Sequence, residues 1–442
     1  MLLRIVAENI ASFKQAVEFN TFPASKSHSH DNHKIACGHA TALRLAAIYG
    51  ANGAGKSNLL SVLALLQQFV VAGSLQGIQF GDNLAFKLDT ENIKRPSGIA
   101  IEFYNEGHIF YYHIEFNKEK VFLEELYLSK RNKDEVIFKR ENDVLSISKD
   151  YFANGYNEQF LDGLRRLLRA DMISLPLIGK YYAHEFPIIS QACAWFVEKL
   201  KVIAPNSSPF SMPHALDKDK DFEKLVNSVI SEIGVGISEL KVQSKYLEED
   251  KIEQEPRIYA AIKEAKNNPG QPQMVFGNNV GEFFNIVYED GKIVLKTLIA
   301  IYKDTDDKVV EMPLTMESDG TRRIIEYMPI LYMLNRKDAV YVVDEIERSI
   351  HPILIKDLIR KLSDSNIIKG QLLFTTHESA LLDQDIFRPD EIWFAQKDVE
   401  QATQLYPLSD FNIHKTASIE NGYLNGRYGG IPFLSNLKDL NW

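Results

Sequence analysis

The stretch from residue 43 to residue 70 constrains this chain more than any other. There, LRLAAIYG runs into ANGAGKSNLLSVLALLQQFV. The first part is apolar and reads as a buried strand. The last part places Leu59, Leu60, Leu63, Leu66, Phe69 and Val70 at helical spacing. Between them, Gly50-Ala51-Asn52-Gly53-Ala54-Gly55-Lys56-Ser57 fits G-x-x-x-x-G-K-[ST], with a strand before it and a helix after it. The glycines let the backbone turn tightly and point successive N–H groups inward at phosphate oxygens. The helix N-terminus adds its partial positive charge. Asn52, Gly53, Gly55, Lys56, Ser57 and Asn58 are therefore the candidates for holding the phosphates of ATP. In that role Lys56 reaches the β- and γ-phosphates and Ser57 ligates Mg²⁺.

The rest of the composition narrows the class. A chain of 442 residues is long enough for about two to three domains. Two cysteines, Cys37 and Cys193, cannot build a disulfide framework and suit a reducing cytosol, so a cytoplasmic location is expected. The start, MLLRIVAENIASFKQAVEF, alternates and carries Arg4, Glu8 and Lys14, unlike a signal peptide. No uncharged apolar run has the length of a membrane span, because Gln67-Gln68 interrupts the longest one. The net charge of −10 argues against a body that attracts nucleic acid globally, which leaves only a local basic groove for that role.

In chain order, residues 1 to 20 read as one or two strands. Residues 21 to 42 read as a solvated loop that carries His28, His30, His33, Cys37 and His39 at spacings that fit no structural zinc pattern. Ile99–Phe103, His108–Phe116, Val121–Leu128 and Val136–Lys139 read as a β-meander. Helical periodicity follows at Phe160–Leu168, Phe186–Ile203 and Phe222–Ile233. Arg165, Arg166 and Arg169 on the first of these read as a solvated face rather than a phosphate-contacting stripe. Residues 244 to 273, ending in Asn-Asn-Pro-Gly-Gln-Pro, read as a mobile linker. Strands resume at Phe284–Tyr288 and Ile293–Tyr302. Glu317-Ser318-Asp319-Gly320-Thr321-Arg322-Arg323 then opens an apolar helix that runs through Leu334.

The second half of the site lies further on. Ala339–Val343 reads as a buried strand ending in Asp344-Glu345. After a phosphate loop, such a strand end supplies an acid, Asp344, that holds Mg²⁺ through water, and a general base, Glu345, that polarises the attacking water. The next strand, Gln371–Thr375, ends in Thr376-His377. There His377 contacts the γ-phosphate or holds that water. A strand pair, Ile392–Ala395 and Gln404–Tyr406, follows.

GANGAGKS, ESDGTRR, VYVVDEIERSIHP and LLFTTHESALL, in that order, resemble the ABC-type ATPases, in the branch shared with SMC-like and OLD-family proteins. The resemblance implies an α/β fold: an ABC-type P-loop ATPase head, with a mixed sheet and an antiparallel β subdomain, carrying an inserted helical domain. The implied boundaries are 1–145 for the N-terminal lobe, 146–274 for the insertion and 275–442 for the C-terminal lobe. In that family two subunits sandwich two nucleotides, and the signature segment of one completes the site of the other. A homodimer or higher homo-oligomer is therefore implied. Ser318, Gly320 and Thr321 occupy the signature position in place of the family's LSGGQ form, and Ser349 to Pro352 matches the D-loop. No residue stands out for the Q-loop; Phe86-Lys87-Leu88 occupies the stretch considered for it.

With DEIWFAQKD and the tail YLNGRYGGIP added, the set is similar to the single-chain AAA-family ATPases of prokaryotic anti-phage and abortive-infection modules. That likeness implies a sensor or scaffold that answers a phage-derived trigger. It would control a separately encoded effector, such as a TOPRIM-like or HNH nuclease. The competing readings are a self-contained OLD-like nuclease and an SMC-like DNA-repair ATPase. The 65 residues after His377 are fewer than a further nuclease domain needs, and no heptad array builds a coiled-coil arm.

Overall fold

The computed structural model describes residues 1–25, 27, 29–78, 84–205, 211–247, 256–276, 283–414 and 417–431. The chain forms two compact units. The first comprises Met1–Pro205, Leu334–Ile346 and Lys356–Trp442, and the second Asn206–Met333 and Glu347–Ile355.

In the first unit, strands β1 (Leu2–Glu8) and β2 (Val17–Asn20) form a hairpin, and β3 (Lys34–Cys37) and β4 (Ala40–Leu43) form another. Strand β5 (Leu45–Gly50) is buried along its whole length. Its alanines let neighbouring chains close on both faces, as the interior of a parallel sheet requires. Helix α1 (Lys56–Ala72) follows, then α2 (Thr90–Lys94). The meander comprises β6 (Ser97–Asn105), β7 (His108–Phe116), β8 (Val121–Ser129), β9 (Glu135–Glu141) and β10 (Val144–Ile147). Together with β1 and β2 it makes an antiparallel sheet in the order β10-β9-β8-β7-β6-β1-β2. Helices α3 (Glu158–Leu167), α4 (Ser174–Tyr181) and α5 (Pro187–Ala194) lead to a π-turn over Trp195–Lys199 and then to β11 (Leu200–Ile203).

The second unit opens with α6 (Met212–Lys218) and α7 (Lys220–Glu232). It continues through β12 (Glu239–Tyr246), α8 (Pro256–Asn267), β13 (Gln273–Phe276), β14 (Phe283–Glu289), β15 (Lys292–Lys303) and β16 (Val309–Pro313) to α9 (Asp319–Leu334). Its sheet runs β12-β15-β14-β13 and is antiparallel, with β16 also pairing β15. A small core of Ile262, Ala265, Val275, Ile286 and Ile293 seats α8 on that sheet.

The chain returns to the first unit through β17 (Val340–Val343), α10 (Pro352–Ser363), β18 (Gln371–Thr375), β19 (Ile392–Lys397), β20 (Thr403–Pro407) and α11 (Ile419–Leu424). The second sheet of that unit has the order β11-β17-β18-β5-β19-β20. Every pair is parallel except β19 with β20. Helix α1 shares one apolar core with both sheets of its unit. Leu59, Leu63, Leu66 and Phe69 of the helix cluster with Ile99 and Phe116 of the meander and with Val340, Val342 and Leu373 of the parallel sheet. Phe69 meets Phe116 edge-on at 4.7 Å between ring centroids. Burying such side chains contributes about 1.5–3 kcal/mol each, and this core holds the phosphate-loop helix in place. The expected α/β architecture, with its mixed sheet and antiparallel β lobe, is present.

Several expectations are corrected. The stretch 146–274 is not purely helical: it carries β11, β12 and the start of β13, and of it residues 146–205 fall in the first compact unit and 206–274 in the second. Residues 146–205 pack their helices into the core of the first unit, and β13 to β16 belong to the same sheet as β12. The helical pattern of 186–203 ends early. The π-turn stops the helix and Leu200–Ile203 joins β17 as a parallel edge strand. The 244–273 stretch is not a linker where described, since it carries the end of β12 and all of α8; residues 248–255 lie outside the described residues.

Nor is 21–42 a solvated loop. His33 is buried, with Nδ1 at 2.8 Å from Glu391 Oε1 and Nε2 at 3.0 Å from the Ser363 carbonyl. The buried Arg388 guanidinium donates to the carbonyls of Ser27 and Ser29. These partners come from the far end of the chain, which is why a polar composition misleads here. Cys37 is buried and, like Cys193, is a free thiol. Among the described residues no three His, Cys, Asp or Glu side chains form a metal-holding group; His28 lies outside them. Of the arginine stripe, Arg165 pairs with Glu158 and Asp162, and Arg169 with Asp171. No helix among the described residues is long and apolar enough to cross a membrane.

Candidate functional site

The site is built where parallel strands end. Gly50 closes β5, and a Cβ there would lie 2.5 Å from the Ala395 carbonyl oxygen of β19, so only glycine lets the two strands pair at that point. Gly53 and Gly55 turn the loop with φ of 76° and 103°. Helix α1 then starts at Lys56 with no acidic residue in its own first turn, so the helix itself leaves the positive end of its dipole open to an anion.

Asn52, Gly53, Gly55, Lys56, Ser57, Asn58, Glu345 and His377 line one cleft of about 330 Å³. The Lys56 side chain is buried along this loop. Its ammonium donates to the carbonyls of Gly50 at 2.8 Å and Ala51 at 3.1 Å and lies 3.5 Å from His377 Nδ1. Ser57 Oγ donates to Asp344 Oδ1 at 3.1 Å. A hydroxyl and a carboxylate thus converge at the mouth of the loop. This donor set suits Mg²⁺, which takes one or two protein oxygens and completes its shell with water and phosphate.

Asp344 and Glu345 follow β17. The Asp344 N–H donates to the Ile203 carbonyl at 3.0 Å, so the edge strand β11 fixes the start of this turn. Glu345 holds φ at 50°, a left-handed conformation that disfavours a side chain with a Cβ. Thr375, at the end of β18, holds it there. The Thr375 hydroxyl donates to Asp344 Oδ1 and accepts the Glu345 N–H at 2.8 Å, and the Thr375 carbonyl accepts the Ile346 N–H at 3.1 Å. One buried threonine therefore ties the acid, the glutamate and the strand leading to His377 into one assembly. Neither Thr375 nor the hydroxyls of Ser12 and Thr403 behind the loop stand out in the sequence. Their only signal is that Thr375 and Thr403 sit at strand ends flanking the motifs.

Ser318, Gly320 and Thr321 lie in the second unit and do not line this cleft. They cap α9. Ser318 Oγ accepts the Thr321 N–H at 3.2 Å and lies 2.9 Å from Thr321 Oγ1. A Cβ on Gly320 would lie 2.4 Å from the carbonyl oxygen of Ser349, itself at φ 62°. The backbones at Gly320 and Ser349 thus pack directly on one another, and glycine permits it. Of Phe86-Lys87-Leu88, Phe86 is buried, with its N–H 3.3 Å from Asn9 Oδ1, Leu88 is exposed, and none of the three lines the cleft.

No curated protein matches the chain. Among solved structures it is similar to an SMC head domain from Thermotoga maritima, at 12% identity and a TM-score of 0.36, covering 93% of this chain and 99% of that one. It is also similar to an Smc head bound to the C-terminal winged-helix domain of ScpA, at 11% identity and a TM-score of 0.43, covering 92% and 97%. A third, an Smc head with an extended coiled coil bound to the C-terminal domain of ScpA from Pyrococcus furiosus, gives 11%, 0.39, 96% and 98%. Residues 45–383, which run from β5 past His377, match the family described as "AAA domain, putative AbiEii toxin, Type IV TA system". That match spans more than half of the chain and contains the whole cleft, so this protein belongs to that AAA-domain ATPase family.

Proposed function

We propose that this chain binds ATP with Mg²⁺ in the cleft at Lys56 and hydrolyses it. The convergence of Lys56, Ser57, Asp344, Glu345 and His377 at the ends of adjacent strands carries this reading. Asn52, Gly53, Gly55 and Asn58 line the phosphate cradle, and Lys56 neutralises the β- and γ-phosphates. Ser57 and Asp344 would hold the Mg²⁺, which would supply charge neutralisation on the phosphates. Glu345 takes the proton of the attacking water, and His377 orients that water against the γ-phosphate. Ser318, Gly320 and Thr321 of a second copy complete the site, which makes the working form at least a homodimer in the cytoplasm. The family's description names a toxin of a toxin–antitoxin system. In keeping with it, the ATPase senses a phage-derived trigger and restrains or positions a separately encoded effector of the TOPRIM-like or HNH nuclease class. Nucleotide state biases which arrangement holds the partner.

The chemical test uses two variants. Lys56→Ala should weaken ATP binding, whereas Glu345→Gln should bind ATP and hydrolyse it about a hundredfold more slowly. Wild-type turnover by Glu345→Gln would remove the base assignment. Assembly is tested by mixing Lys56→Ala chains with Ser318→Arg chains: a mixed dimer with one intact composite site should regain activity. The purified chain alone, given Mg²⁺, ATP and plasmid, should leave the DNA intact. Cleavage that disappears in Lys56→Ala would instead make it a self-contained nuclease.

A further inference from the structure

Behind the phosphate loop a chain of hydrogen bonds runs from Asn58 to Ser12 and Thr403, two residues that the proposed chemistry does not use. Asn58 Nδ2 donates to Ser12 Oγ at 2.7 Å. Ser12 Oγ lies 2.7 Å from Thr403 Oγ1, and Thr403 Oγ1 lies 2.8 Å from the carbonyl oxygen of Ala54. A carbonyl only accepts and each hydroxyl carries one proton, so the direction is settled: Asn58 gives to Ser12, Ser12 to Thr403, and Thr403 to Ala54. The Thr403 N–H also donates to the Ser12 carbonyl at 2.8 Å, which locks the first hairpin against β20. Thr403 is fully buried. A Cβ on Gly55 would meet Thr403 Oγ1 at 2.1 Å and Ser12 Oγ at 2.8 Å, so the loop lies directly on these two hydroxyls.

In a trans peptide the C=O and the N–H point in opposite directions. Ala54 and Gly55 share one such peptide. Pulling the Ala54 carbonyl back onto Thr403 therefore turns the Gly55 N–H outward, toward the cleft that Gly55 lines. That N–H has no protein acceptor among the described residues. From this geometry we infer that Thr403, relayed by Ser12, is a positioning residue that aims the Gly55 N–H at a nucleotide phosphate. The inference deepens the nucleotide-binding reading of the cleft and rests on it. The clamp also links Asn58, on the cleft side of α1, to the last strand pair, so both ends of the sequence set the loop's orientation.

The test compares Thr403→Val, which keeps the shape and deletes the hydroxyl, with Thr403→Ser, which keeps the hydroxyl. Ser12→Ala provides a milder break in the same relay. ATP affinity is measured by calorimetry with Mg²⁺, and kcat and KM are measured in steady state. An N–H that contacts phosphate in both ground and transition states contributes uniform binding. Thr403→Val should therefore raise the ATP Kd and the KM about five- to tenfold with kcat unchanged, the effect of one lost hydrogen bond. Ser12→Ala should raise them less, and Thr403→Ser should bind as wild type. A variant that merely folds less well loses apparent kcat at constant KM, and that result would overturn the inference. So would equal impairment of the Val and Ser variants, or unchanged affinity in Thr403→Val while wild type binds ATP. Wild-type protein that binds no ATP overturns the nucleotide reading of the cleft, and the role of Thr403 with it.

Discussion

Thr375 offers the sharpest test of how the site is held together. Its hydroxyl makes two bonds inside the protein, one to the Asp344 carboxylate and one from the Glu345 N–H. Thr375→Val keeps the branched shape and removes both. A hydrogen bond to a charged group is worth roughly 1.5–3 kcal/mol and a neutral one about 1 kcal/mol, so the folded state should lose about 3 kcal/mol. At roughly 1.5–2 °C per kcal/mol for a unit of about 300 residues, the melting temperature should fall by about 5 °C. The catalytic effect has a separate origin. Glu345 holds φ at 50°, and a left-handed residue with a side chain lies roughly 1–2 kcal/mol above the ordinary helical region. Freed from Thr375, it should spend most of its time elsewhere, and kcat should fall roughly five- to thirtyfold. The phosphate loop is untouched, so ATP affinity measured by calorimetry should change less than twofold. Thr375→Ser should restore turnover. A valine variant with wild-type kcat, or one that loses ATP affinity as steeply as it loses kcat, would refute this account of the turn.

Two further outcomes follow from the structure. Gly320→Ala places a Cβ 2.4 Å from the Ser349 carbonyl oxygen, so the backbone at Ser349 must shift. An overpacking penalty of about 1–3 kcal/mol should lower the melting temperature, and turnover should fall while ATP still binds. In the second unit, the Lys296 side chain is buried between Asp217 at 2.8 Å and Glu289 at 2.9 Å. Burial by itself pushes both carboxyls up and Lys296 down, but the ion pairs outweigh it: the ammonium holds Asp217 and Glu289 below the usual carboxylate range, and the two carboxylates raise Lys296. The two carboxylates stabilise the fold fully above their unfolded values and lose that contribution as pH falls through the folded ones. Lys296 stabilises below its unfolded value and loses that at strongly alkaline pH. Unfolding titrations should therefore show a neutral plateau that falls off in acid, and Lys296→Met should flatten the acid limb; a limb unchanged in that variant would count against the triad.

What could be read from the residues divides along the reach of their contacts. The phosphate loop is a local device: its glycines, lysine and serine carry their chemistry in eight consecutive positions, and the strand and helix beside it follow from patterning alone. Asp344-Glu345 and His377 were legible because each ends an apolar strand. The rest depends on partners far away in the chain. His33 looks like a loop residue until Glu391 closes on it. Thr403 looks like any strand threonine until Ser12 and the phosphate loop meet it. Leu200–Ile203 continues a helical pattern because four residues carry too little periodicity, and the π-turn at Trp195–Lys199 that ends the helix has no sequence signature. The left-handed φ of Glu345 is set by Thr375, and nothing in Asp-Glu-Ile-Glu predicts it.

The order of the parallel sheet has a consequence for how this protein is made. Strand β5, which carries the phosphate loop, pairs on one side with β18 and on the other with β19. Both neighbours leave the ribosome long after it does. The meander needs only local hairpins and can assemble on the nascent chain, but β5 has no sheet to join until residues 371–397 emerge. The buried Thr403 that backs the loop comes later still. A chain still short of these residues thus holds the phosphate-loop sequence without the cleft, and the nucleotide binding proposed for it should begin only once residue 403 has emerged.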